Sequence, residues 1–168
     1  MQPKLILFSG LPGTGKSTLS YELSRRTGWS ILSKDLVDNS YKNSTDPNTP
    51  WYSYQLLVDY ANLNLKNGAS VILDAVFTYQ RLREQAFHVA QKYNARVYPI
   101  VCVCSNEDVW KERLRIRPEM VEGWPPADWN EVMEVQRKFD AWKEPHLLLD
   151  SIHAFETNFA QLVQYLQQ

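Results

Sequence analysis

The chain has 168 residues, of which 44% are hydrophobic and 22% charged; 18 Lys and Arg oppose 19 Asp and Glu, for a net charge of −1. This is the composition of one globular domain with a buried core, and it excludes a disordered tail, a fibrous repeat and a membrane bundle. The near-neutral balance also disfavours a dominant nucleic-acid-binding face, which carries a basic excess.

Lys4–Gly10 is an apolar run closed by Gly, the pattern of a strand buried on both faces. Ser17–Arg26 carries Leu19 and Leu23 on one helical face, with Gly28 just beyond its end. Trp29–Leu32 reads as a second strand. The polar stretch Ser33–Tyr41 leads into a loop at 43–50, rich in Asn, Ser, Thr, Asp and Pro. Trp51–Asn67 reads as a long helix stopped at Gly68, and Ser70–Leu73 as a third strand ending at Asp74. Gln80–Tyr93 is helical and Ala95–Cys104 is the fourth strand. Ser105 opens a further helix, with Asp108 three residues on as an acidic variant of a capping box, and the helix continues through Val109–Ile116. Residues 117–128 contain three prolines and Trp124 and read as an irregular excursion. Trp129–Trp142 is helical, Leu147–Leu149 is a fifth strand candidate, and Phe159–Leu166 closes the chain as a helix.

Strands alternating with helices imply a parallel sheet covered on both faces. Ligands of such sheets bind at the carboxyl ends of the strands, so the segments after Phe8, Leu32 and Leu73 matter most. Cys102 and Cys104 are the only cysteines. Two apart on a strand, they face the same side and read as buried inert thiols. His88, His146 and His153 have no metal spacing and read as structural. Leu5–Phe8 is too short for an export signal, and no run approaches the ~18 apolar residues of a membrane span; the expected location is the cytoplasm, away from membranes.

Gly10-Leu11-Pro12-Gly13-Thr14-Gly15-Lys16-Ser17, followed by Thr18, matches G-x-x-x-x-G-K-[ST] in full between a strand and a helix. The glycines let backbone N–H groups turn inward around an anion, and the following helix points its positive end at it. Lys16 is a point charge for the β- and γ-phosphates of ATP, and Ser17 offers a hydroxyl to Mg²⁺. Asp35 follows a strand expected beside this loop; it either caps the next helix or takes and orients a hydroxyl proton, and the two roles are compatible. Lys34 and Asp38, near it, read as solvated. Asp74, ending an apolar strand, is placed to hold Mg²⁺ through water, to touch an acceptor, or to cap the following turn. Arg113 and Arg117 share a helical face that is either a lid over transferring phosphate or a solvated surface balanced by Glu107, Asp108 and Glu112. One of Arg81 and Arg83 can face the acceptor. Trp51, Tyr52 and Tyr54, or Trp124 and Trp129, either pack or stack on a planar ligand. There is no N-K-x-D guanine-reading motif.

The segments GLPGTGKST, SKD, VILDAVF and ERLRIR, in this order, resemble those of the P-loop kinase group of zeta-toxin-like kinases, chloramphenicol phosphotransferase and polynucleotide kinase domains, within the AAA-type ATP-binding domains. The resemblance spans about residues 4–150. It implies a single domain over 1–168 with a three-layer α/β/α P-loop fold, a five-stranded parallel sheet and a small lid at about 113–128. It implies an ATP- and Mg²⁺-dependent phosphotransferase acting on a hydroxyl, with Lys16 and Ser17 at the phosphates and metal, Asp35 as the activating acid, and Arg113 and Arg117 as lid arginines. Polynucleotide kinases of this group carry an arginine three residues after the acid. Asp38 stands there instead, which favours a neutral or cationic small-molecule acceptor. The alternatives are a nucleic-acid 5′-end or nucleotide kinase, and an ATP-binding interaction module without turnover.

Overall fold

The computed structural model describes residues 2–41, 43–116 and 127–168. The strands are β1 (Lys4–Ser9), β2 (Ser30–Ser33), β3 (Val71–Asp74), β4 (Arg96–Val103) and β5 (Leu147–Asp150). The helices are α1 (Lys16–Thr27), α2 (Lys34–Ser40), α3 (Thr49–Lys66), α4 (Gln80–Lys92), α5 (Glu107–Ile116), α6 (Trp129–Arg137) and α7 (Phe155–Tyr165). The strands form one all-parallel sheet in the order β2-β3-β1-β4-β5. Its central strand, β1, is buried from Leu5 to Ser9, because a strand flanked on both sides and both faces has no wet surface.

Alternation along β1 divides the core. Leu5 and Leu7 face α3 and α4, packing with Leu57, Ala61, Leu82 and Ala86. Ile6 and Phe8 face the other way, onto Leu19 and Leu23 of α1 and Phe159 and Leu162 of α7. This is the expected three-layer α/β/α P-loop arrangement. Cys102 and Cys104 are buried free thiols, and desolvation pushes Cys102 up to about 12. No helix among the described residues is long and apolar enough to cross a membrane.

Several expectations need correction. β2 does not lie beside the phosphate-loop strand; β3 stands between them, with Phe8, Asp74 and Ser33 level at the carboxyl edge. The polar stretch after β2 contains a seven-residue helix, α2, held by its one buried apolar side chain, Val37, and a part-buried ion pair described below. Asn106, not Ser105, caps α5: its Oδ1 accepts the Val109 N–H at 3.0 Å, while Ser105 N–H is taken by Asp150 at the end of β5. α7 starts at Phe155, four residues before the expected start. Arg117, Trp124 and most of the expected lid lie outside the described residues.

α6 ends at Arg137, short of the expected Trp142, because the chain after it is strapped to the loop following β3 by Arg83. This side chain is fully buried. Its Nε donates to Phe77 O at 2.9 Å, Nη2 to Asp140 O at 2.7 Å and Nη1 to Ala141 O at 3.1 Å. The guanidinium lies over the rings of Trp142 and Phe139, at 4.3 and 5.0 Å. Arg83 therefore organises the fold and does not face an acceptor. Arg81 is exposed, over Trp51 and Tyr79.

Replacing Arg83 by Met keeps most of the volume but leaves the buried Phe77 carbonyl without this donor, at about 1–3 kcal/mol, while the Asp140 and Ala141 carbonyls of exposed residues can turn to water. Urea unfolding of Arg83→Met is expected to show stability lowered by about 2 kcal/mol with the m-value unchanged. An unchanged midpoint would show that the Phe77 carbonyl finds water as well.

Candidate active site

A loop that turns its N–H groups inward, as an anion site needs, turns its carbonyls outward, where each needs a donor. The sequence supplies them. Thr14 Oγ1 donates to Leu11 O at 2.7 Å, and the indole Nε1–H of Trp110, on α5, donates to Pro12 O at 2.8 Å. Gly10 closes the start of the loop at φ +146°, where a Cβ would lie 2.3 Å from Cys102 O. Gly13, at φ +81°, sits so close to α5 that a Cβ would meet Leu114 Cδ2 at 2.9 Å and Trp110 Nε1 at 3.0 Å. No other residue type fits either place.

Lys16 is the first residue of α1 and is buried, with only 4% of its surface exposed. Ser17 follows it on the same turn. Both line a cavity of about 600 Å³ that runs from Gly13 and Gly15 past Arg113 and Ile116 to Ser151 and Phe155 on the β5–α7 connection. That volume suits a nucleotide-sized ligand.

Asp74, buried at the end of β3, does not line this cavity, and neither does Asp35, but Asp74 is close enough to Lys16 and Ser17 to act on them. Its Oδ2 accepts from Ser20 Oγ at 3.2 Å, whereas its buried Oδ1 has no hydrogen-bond partner among the described residues. Burial pushes the Asp74 carboxyl above its ordinary range; the nearby Lys16 ammonium and Ser17 hydroxyl oppose that rise, and Asp35 adds to it. A hydroxyl, an orphaned carboxylate oxygen and a phosphate site together fit Mg²⁺, which is held by one or two protein oxygens, substrate phosphates and water. Among the described residues there is no cluster of three or more His, Cys, Asp or Glu side chains that could hold a metal ion.

Asp35 lies in the first turn of α2, close enough to Asp74 to act on it electrostatically. Tyr21 of α1 lines the cavity between them, hydrogen-bonded to Ser33, its phenol raised by burial and by the Asp74 and Asp35 charges. Lys34 and Asp38 are not solvated as the sequence suggested. They form an ion pair at 2.5 Å with side chains 12% and 20% exposed, and the Lys34 ammonium lies 5.0 Å from the Tyr54 ring centre. Tyr54 points inward, where its hydroxyl accepts the Phe77 N–H at 3.1 Å.

Arg113 reaches the cavity from α5 and is anchored there, Nη1 to Ser151 Oγ at 2.6 Å and Nη2 to Ser151 O at 2.7 Å. The other described cations of that helix are surface charges: Lys111 pairs with Glu107 and Arg115 with Glu112. His153 lines the cavity wall. Sequence reading missed Ser20, Tyr21, Trp110 and Asn158. The signal for Asn158 was a polar residue at core spacing, one before Phe159, on the buried face of α7; Ser20 carried the same signal between Leu19 and Leu23 on α1.

A family model described as an AAA domain matches residues 5–141. Among curated proteins, the chain is 24% identical over 165 residues to a Schizosaccharomyces pombe protein named a probable fructose-2,6-bisphosphatase, covering 94% of this chain and 38% of that one. It is 28% identical over 156 residues to the tRNA dimethylallyltransferase of Helicobacter pylori, covering 89% of this chain and 44% of that one. The chain thus spans less than half the length of these relatives. Among solved structures, a candidate kinase from Chloroflexus aurantiacus superposes with a TM-score of 0.78 at 24% identity, covering 100% of this chain and 98% of that one. A gluconokinase from Sinorhizobium meliloti gives 0.74 at 14% identity, covering 98% and 92%. The Mycobacterium tuberculosis APS kinase CysC in complex with AMPPNP and APS gives 0.71 at 17%, covering 99% of both chains. These structures share the fold.

Asp74 yields a pH prediction. Its carboxyl is harder to ionise folded than unfolded, so folding favours its protonated form. Stability from this group is present at acid pH and is lost as pH rises from the unfolded-state value through the raised folded-state one. Asp74→Asn mimics the protonated form. It should raise the thermal midpoint of the ligand-free protein at neutral pH, with the gain shrinking as pH falls toward 4. A variant less stable than wild type at pH 7 would show that the charge holds the fold.

Proposed function

The chain belongs to the AAA domain family, and on that premise we propose that it is an ATP-dependent phosphotransferase that moves the γ-phosphoryl group of ATP to a hydroxyl of a small-molecule acceptor. The observation that carries this reading is the buried Lys16 at the floor of an anion loop, with Asp74 and Asp35 across from it at one edge of the sheet. Neighbours of the same fold include a gluconokinase and an APS kinase crystallised with AMPPNP, which supports ATP as donor and a small molecule as acceptor.

In this reading the loop N–H groups and Lys16 hold the β- and γ-phosphates. Arg113 lies on the cavity wall at the same site, where its guanidinium neutralises charge on the phosphoryl group in flight. Ser17, with Asp74 behind it, would hold Mg²⁺, which supplies charge neutralisation at the phosphates. Asp35 orients the acceptor hydroxyl and takes its proton as the oxygen bonds to the γ-phosphorus; the bond to the β,γ-bridging oxygen breaks and ADP leaves with that electron pair. Such transfer asks the protein for positioning and electrostatics above all. Arg117, which lies outside the described residues, is proposed as a second cation on the sequence resemblance alone. A nucleic-acid end is the less supported acceptor, since the chain carries no basic excess. A cytoplasmic location fits the two buried free thiols.

Lys16→Ala should abolish transfer. Asp35→Asn should keep ATP binding in calorimetry while transfer to a library of hydroxyl acceptors, read by product mass, falls about 10²–10⁴-fold. Wild-type rates in Asp35→Asn would remove that residue from the chemistry. Binding of ATP by the wild type with no product from any acceptor would favour a module without turnover.

A further inference from the structure

Resting on the reading that the loop holds a triphosphate, we propose that Trp110 is a positioning residue that sets the phosphate-binding face of the loop from behind. A trans peptide holds its C=O and N–H antiparallel. The Pro12 carbonyl is held by the Trp110 indole at 2.8 Å, so the Gly13 N–H of the same peptide unit is aimed the opposite way, away from α5. Gly13 itself lines the cavity. Without that donor the Pro12–Gly13 peptide is free to rotate, because Gly13 has no side chain to resist and already occupies φ +81°. A rotated peptide would present a carbonyl to the phosphates.

Trp110 is itself immobilised. It is buried, packs with Leu11 and Leu114, and meets the Trp129 ring edge-on at 84° and 5.2 Å. The same helix, three residues on, delivers Arg113 to the cavity. One rigid element therefore sets both the loop behind the phosphates and a cation beside them. The requirement for Gly at 13 has the same origin, since a Cβ would strike Trp110 Nε1 and Leu114.

The test compares wild type, W110F and W129F by titration with Mg²⁺–tripolyphosphate, Mg²⁺–ATP and, by competition, adenosine. W110F keeps an aromatic ring but loses the donor and the indole's second ring, and W129F controls for the same loss of volume in the same cluster. It is expected to bind tripolyphosphate and ATP about fivefold more weakly, the effect of about one hydrogen bond, with adenosine unchanged and W129F like wild type throughout. Wild-type affinity for tripolyphosphate in W110F overturns the inference, as does an equal loss for adenosine, which would mark general damage. A wild-type protein that binds no tripolyphosphate overturns the phosphate-site reading itself, a distinct result. Should W110F not fold, hydrogen exchange of the wild-type Trp110 indole decides. Exchange slowed further by tripolyphosphate is expected, and exchange indifferent to it overturns the proposal.

Discussion

An anion loop made of backbone has one unavoidable constraint: every N–H turned toward the ligand turns its carbonyl toward the protein. Much of the carboxyl end of this molecule can be read as the answer to that constraint. Thr14 answers for Leu11 from within the loop, and Trp110 answers for Pro12 from α5. The third apolar cluster, Leu11 with Trp110, Leu114 and Val132, exists to keep α5 pressed against the loop. From the same helix Arg113 is delivered to the cavity and pinned by Ser151. The sheet beneath contributes the remaining charges, because parallel strands in register bring Asp74 and Ser33 level with the end of β1.

The site is held against its own stability. Lys16 and Asp74 are both buried and within electrostatic reach of each other, one oxygen of Asp74 is orphaned, and Asp35 adds a second negative charge nearby. Buried charge with an unmet valence is unfavourable in an isolated domain and becomes favourable when a polyanion and a divalent cation complete it. The strapped loop after β3 has the converse design. Tyr54 binds the N–H of Phe77 and Arg83 its carbonyl, so this residue holds φ +53° without a ligand. Rigidity there fixes the backbone between Asp74 and the exposed Trp51–Arg81–Tyr79 surface.

Most of the fold was legible because the signals were local. The apolar runs of β1, β3 and β4, the glycines after α1 and α3 and the phosphate-loop motif each state their structure within ten residues. What escaped was long-range. Strand order is not written in any one strand, so β2 was expected next to the loop although β3 intervenes. Lys34 and Asp38 looked solvated because their polarity is visible in sequence and their mutual neutralisation against the Tyr54 ring is not. Trp110 drew no reading at all, because only the 98-residue separation closed by the fold reveals Pro12 as its partner. Arg83 looked like a candidate for the acceptor and is instead the clasp between the β3–α4 loop and the chain after α6.

The most direct test of the whole account is a crystal structure with Mg²⁺ and a non-hydrolysable ATP analogue. The account predicts the triphosphate inside residues 10–18, Lys16 Nζ on its terminal phosphates, and the metal between Ser17 and the phosphate oxygens on the Asp74 side. A loop left empty at saturating analogue, or a nucleotide bound elsewhere on the molecule, would contradict it.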